Sequence, residues 1–261
     1  MSFFKIIFSR IIRNKIFYKF WLLLSRISSY GLNFGVASGY ADYSGELFII
    51  KKVQKYFSKA PIVLDVGASI GDWSKFMLQE LKSQDFKLFM IEPLKDSFND
   101  LENKFSINKR VKLRHLGFSN NNERVNIFFN QEKEGSASIL KNNSNFSEEI
   151  SLITLDDFSR QEKISEIDFL KMDVQGFEYK ILQGAKSLLQ GDKIKFIQFE
   201  FDEPNIEARV FFKDFWDLLS PKYDIYHSLY NGLVKIDQYD YTLENYRCMN
   251  YLAVSKKIKF S

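Results

Sequence analysis

Of the 261 residues only one is cysteine, Cys248, and four are proline. A single thiol excludes an intramolecular disulfide, offers no cysteine cluster to a metal and suits a reducing cytoplasm. Twelve glycines and four prolines, against 27 phenylalanines and 13 tyrosines, exclude fibrous and low-complexity classes and leave a globular chain with one large core. There are two histidines, His115 and His227, both in strand-like runs, and they read as packed side chains rather than catalytic groups. Long apolar runs are missing too. Phe20 to Leu24 falls far short of the roughly 18–20 residues that cross a bilayer, and charges interrupt every candidate signal-peptide core.

Acids are absent from residues 1–30, which carry six of the 37 Lys and Arg; the other 31 face 33 Asp and Glu, a net charge of −2. A near-neutral body is a poor nucleic-acid surface, so no nucleic-acid partner is expected. In the basic segment Phe4, Ile7, Phe8, Ile11, Ile12, Ile16, Phe20, Leu23, Leu24 and Ile27 recur at helical spacing, giving one apolar and one basic face. Such a helix either docks on the body or lies on an anionic bilayer, the inner face of a cytoplasmic membrane. Residues 1–38 are therefore set apart from a catalytic domain over 39–261.

Beyond that segment apolar strands and amphipathic helices alternate, the signature of a parallel sheet covered on both faces. PIVLDVG, KLFMIEP, VKLRHLGFS, ISLITLDDF, IDFLKMD and KFIQFEF read as strands in that order. The polar span 120–149 reads as a surface excursion with a hairpin around VNIFFN, and a helix is expected from about Phe177 to Gly191. Three closing runs, YDIYHSLY, LVKI and NYLAVSK, leave little room for helices between them and predict antiparallel pairing at the sheet's end.

The turn LDVGASIG puts Asp65 at a strand end, followed by Gly67, Ser69 and Gly71. Glycine lets backbone approach a ligand, and the preceding acid suits a cationic ligand better than a pyrophosphate, which favours S-adenosylmethionine. Glu92 ends the next strand 21 positions past Gly71, where an acid in a nucleotide fold accepts from both ribose hydroxyls. A nicotinamide-dependent oxidoreductase would use Glu92 equally well. Against it stand the missing middle glycine and the lack of a Tyr-x-x-x-Lys pair after a catalytic serine.

These residues resemble the FkbM-type S-adenosylmethionine-dependent methyltransferases from about Gly39 to Val254. VLDVGASIGDWS is similar to the family's first motif, with Ser69 for the usual Asn. MIEPLKDSFNDL, LGFSN, ITLDDF and KMDVQGFEYKILQGAKSLL are similar to later motifs in the right order. The resemblance implies a class I Rossmann-like α/β fold with a mostly parallel seven-stranded sheet and an antiparallel end. It also implies a cofactor site including Gly117 and Phe118, and methyl transfer to a hydroxyl of a small molecule or glycan, often a cell-surface polysaccharide sugar. Gln175 replaces the usual Glu, so no catalysis is assigned there. That departure and the basic opening also motivate a reading as an inactive membrane-surface binding module.

In FLKMDVQGFEYKIL, Lys171 and Asp173 share one side of a strand, and Asp173 lies at its carboxyl end, where open α/β sheets hold ligands. Asp173, with Glu178 in the next helix's first turn, is expected to orient or deprotonate the acceptor hydroxyl, with Lys171 either holding Asp173 ionised or binding an acidic group on the acceptor. Glu200, ending the following strand, is the second candidate base. Asp156, Asp157, Asp173 and Glu200 are oxygen ligands of the kind magnesium accepts, but no compact spacing supports a metal.

Overall fold

The structure is a computed structural model that describes residues 12–35, 41–81, 85–129 and 146–261. Phe4, Ile7, Phe8 and Ile11 of the amphipathic pattern, the boundary at 38/39 and part of the polar excursion lie outside the described residues.

Short β-branched and aromatic runs make the strands β1 (Ile62–Val66), β2 (Lys87–Ile91), β3 (Val111–Arg114), β7 (Ile167–Met172) and β8 (Ile194–Glu200), all mutually parallel. The carboxyl-terminal runs form β9 (Tyr223–Leu229), β10 (Gly232–Ile236) and β11 (Asn250–Ser255), joined antiparallel as expected. One sheet results, in the order β10-β9-β11-β8-β7-β1-β2-β3. It has eight strands rather than seven, with β11 between β8 and β9 and β10 as the outer edge.

Side chains alternate across this sheet. Val63 and Phe169 face one way, into a core with α2 (Glu46–Val53), α3 (Asp72–Glu80) and α4 (Lys95–Phe105). Leu64, Leu170 and Met172 face the other, against α5 (Leu155–Gln161), α6 (Glu178–Gln183), α7 (Lys186–Gln190) and α9 (Phe212–Leu219); the short α8 is Pro204–Ala208. The amino-terminal helix α1 (Tyr18–Gly31) buries none of its residues.

Three expectations change. VKLRHLGFS is two strands: after β3 the chain leaves the main sheet, and β4 (Gly117–Phe118) joins β5 (Glu123–Phe129) and β6 (Phe146–Ile153) in a separate sheet of order β4-β6-β5. ISLITLDDF is not one strand either: its first four residues end β6, which pairs with β5 in the small sheet instead of resuming the main one, and Leu155–Phe158 open α5 behind the Thr154 cap. The helix after Phe177 is two helices. A Cβ on Gly184 would stand 2.2 Å from the Ser119 carbonyl oxygen, and Asp156 accepts from the backbone N–H groups of Ser187 and Leu188 at 2.8 and 3.1 Å, starting α7 afresh.

Candidate active site

Strands succeed outward from β1 on one side through β2 and β3, whereas β7 and β8 lie on its other side. The crevice at such a reversal, beyond the carboxyl ends, is where open α/β sheets bind ligands. A cleft of about 370 Å³ lies there, lined among others by Gly67, Ser69, Glu92, Gly117, Phe118, Lys171, Asp173 and Gln175.

The glycine turn shapes one wall. Gly67 has φ +77°, and a Cβ there would stand 2.0 Å from the Asp173 carbonyl oxygen, so only glycine lets β1 leave the sheet this close to β7. Ser69 is also left-handed, at φ +48°, which aims its N–H at Glu92 Oε2, 2.8 Å away. Gly71 serves packing: its φ is +88° and a Cβ would strike the Phe105 ring at 2.4 Å. It does not line the cleft.

Glu92 is nearly buried, and its other oxygen accepts from Leu94 N–H at 2.9 Å. Burial pushes its carboxyl up to about 7, although both backbone N–H bonds pull the other way. A carboxylate offers about four acceptor positions, so each oxygen keeps one for the cleft. Beside it, Leu94, Ile127, Ile150 and Leu152 form an apolar wall.

Asp65, Lys171 and Gln198 are register partners across β1, β7 and β8, so their side chains rise from one face of the sheet. The Lys171 ammonium lies 3.3 Å from Asp65 Oδ1 and 3.5 Å from Asp173 Oδ2. Burial opposes its charge, but Asp65, Asp173 and Glu46 together raise it above the ordinary lysine range. The other oxygen of Asp65 accepts from Ser74 Oγ at 2.7 Å. Asp65 is thus fully buried behind the cleft, partnered by protein, and acts on the site through Lys171 rather than as a lining group.

Asp173 faces the cleft, as Glu92 and Asp72 do, and is held by Lys171 and, at 3.4 Å, by Gln175 Nε2. Gln175 and Gly176 turn the loop with φ of +54° and +94°. Glu178 does not reach the cleft: its oxygens accept from Val174 and Gly176 N–H at 2.8 and 3.0 Å, fixing the loop that carries Asp173. Burial raises its carboxyl to about 8. Glu200 is also set back, accepting from the Cys248 thiol at 2.8 Å. Burial, then Asp173 and Asp202, hold its carboxyl well above the usual carboxylate range, and its place behind the cleft keeps it from an acceptor there.

Asp157 is engaged by Asn122 at 2.6 Å and by Arg160, and Asp156 caps α7, so the four acids considered for magnesium have separate tasks. His115 stacks on Phe98 at 4.7 Å and His227 Nε2 meets the Leu32 carbonyl at 2.7 Å, both as packed side chains. Phe177 lines the cleft, whereas Phe201 is in the core.

A sequence profile described as a methyltransferase FkbM domain matches residues 65–227, more than half of the chain. The chain belongs to the methyltransferase FkbM family. Among crystal structures, it is similar to the FkbM methyltransferase of Methylobacillus flagellatus KT, with 20% identity over 75% of this chain and 44% of that one and a TM-score of 0.48. The chain thus spans less than half the length of that relative. It is also similar to an O-methyltransferase from Bacillus cereus in complex with S-adenosylhomocysteine (12% identity, 89% of this chain and 88% of that one, TM-score 0.48). Fibrillarin from Aeropyrum pernix, with natively bound S-adenosyl-L-methionine, is a further match (10% identity, 80% and 76%, TM-score 0.44). No curated protein matches the chain.

In this FkbM-family chain two contributors escaped the sequence reading. The apolar wall was visible only as period-two alternation, Val125 and Ile127 on one strand and Ile150 and Leu152 on its partner. Glu46, in the apolar run ELFIIKKV of α2, is fully buried and accepts from Gln198 Nε2 at 2.8 Å. An acid inside an apolar stripe was its signal.

Proposed function

We propose that the protein transfers the methyl group of S-adenosylmethionine to a hydroxyl oxygen of a glycan or small molecule, with a cell-surface polysaccharide sugar as the favoured acceptor. The observation that carries this reading is the placement of two differently held carboxylates, Glu92 and Asp173, on one cleft. The cleft's residues fit the cofactor: Glu92 keeps acceptor positions for ribose hydroxyls, and Leu94, Ile127, Ile150 and Leu152 give an adenine ring an apolar seat.

Bound there, the cofactor supplies a methyl group already activated by its sulfonium centre. The chain's own work is to align the acceptor and manage its proton. Asp173 accepts that proton as the hydroxyl oxygen becomes nucleophilic, since a free alcohol is far too weak an acid to ionise at neutral pH. Lys171 fixes the Asp173 carboxylate through its ion pair, and Asp65 anchors Lys171 from behind. Glu178 holds the 174–176 backbone, so the carboxylate does not swing away.

Calorimetry with S-adenosylmethionine and transfer of its labelled methyl group to a polysaccharide fraction test the two halves separately. Glu92→Gln weakens cofactor binding by about tenfold, the value of one lost charge-assisted contact. Asp173→Asn leaves binding within about threefold but lowers transfer by about 100-fold or more. Transfer that survives in Asp173→Asn removes the base from the scheme.

A further inference from the structure

We infer that α1 is a membrane-surface anchor that lays one face into an anionic bilayer. Phe20, Leu23, Leu24 and Ile27, at i, i+3, i+4 and i+7, share a face of the helix. They are not covered by the body: Phe20 is 51% exposed, Leu23 56% and Ile27 58%, with Ile16 on the preceding turn at 77%. Trp21 and Tyr18, side chains suited to the headgroup level, are exposed as well.

The helix is fixed to the body at its carboxyl end. Arg247 donates to Ser29 Oγ, and the Asn33 amide donates to the carbonyls of Ser44 and Ser228 at 2.8 and 3.1 Å. Gly35 N–H donates to the Cys248 carbonyl at 2.9 Å. With Ser29 turned toward the protein, the apolar face is turned away from it.

Charge selects the occupant. Arg13, Lys15, Lys19 and Arg26 lie on or beside the helix, and no acid occurs before Asp42. An anionic lipid surface complements this pattern, each Lys or Arg adding to the attraction. A second copy of the helix laid against the first would bring cation to cation with no carboxylate to pair them. Spanning is excluded for this helix, because no described helix is long and apolar enough to cross a membrane.

The test is co-sedimentation of the full chain with vesicles of phosphatidylcholine alone and with phosphatidylglycerol added. We expect binding to the anionic vesicles, little to the neutral ones, and release as salt shortens the Debye length from about 10 Å at 0.1 M to about 3 Å at 1 M. Leu23→Glu with Ile27→Glu should abolish binding, and Lys19→Gln or Arg26→Gln should each lower the partition coefficient about fivefold. An unchanged melting temperature in the variants shows that the fold is retained. No binding to anionic vesicles, or binding indifferent to the double glutamate change, overturns the inference. So does a wild-type dimer in sedimentation equilibrium that the double change converts to monomer.

Discussion

Glu92 is a carboxylate buried in a cleft wall with two backbone N–H donors, and burial brings its titration to about pH 7. A ribose diol donates hydrogen bonds, so it binds the ionised form. Cofactor affinity is therefore expected to rise about tenfold between about pH 6 and pH 8, as the ionised share grows from about a tenth to nine-tenths. Calorimetry across that range checks it, and Glu92→Gln flattens the dependence. Glu92 could be located from its distance along the chain because fold geometry fixes where a second strand ends. Glu178 and Glu200 could not be sorted from Asp173 in the same way. Their separation depends on which backbone N–H groups and which thiol lie within reach, and three-dimensional placement alone decides that.

The segment from Asp173 to Glu178 works as one element, a strand exit turned by Gln175 and Gly176 and tied by Glu178. Glu178→Ala strands two backbone donors and is expected to cost about 2–5 kcal/mol in chemical denaturation. The folded protein holds the Glu178 proton up to about pH 8, against 4.5 as the ordinary value. More protons are bound folded than unfolded across that interval, so this group's contribution falls as pH rises through it. Glu178→Gln should reduce that decline in denaturation midpoints. At this scale strands and helices were legible from apolar periodicity. The break at Gly184 was not, since it arises from the Ser119 carbonyl and the Asp156 cap, both distant in sequence. Similarly, β3 and β4 were merged because their run is continuous, and only the pairing of β4 with β6 separates them.

As a whole, the molecule is a covered parallel sheet with an antiparallel end, a small second sheet over the cleft and a helix that adds nothing to the core. A chain starting at Leu32 should melt within about 2–4 °C of the full chain, the shift produced by about 1 kcal/mol in a protein of this size. Differential scanning calorimetry checks this. Architecture was readable because alternation of strand and helix leaves few arrangements, whereas the fate of the basic helix was open, since an amphipathic pattern is the same for a docked and an undocked face. The central claim concerns the cleft between Glu92 and Asp173, and a crystal structure with S-adenosylhomocysteine tests it most directly. The account predicts ribose hydroxyls on Glu92, adenine against Ile127, Ile150 and Leu152, and the sulfur on the Asp173 side. A ribose bound elsewhere, or a sulfur turned away from Asp173, would contradict it.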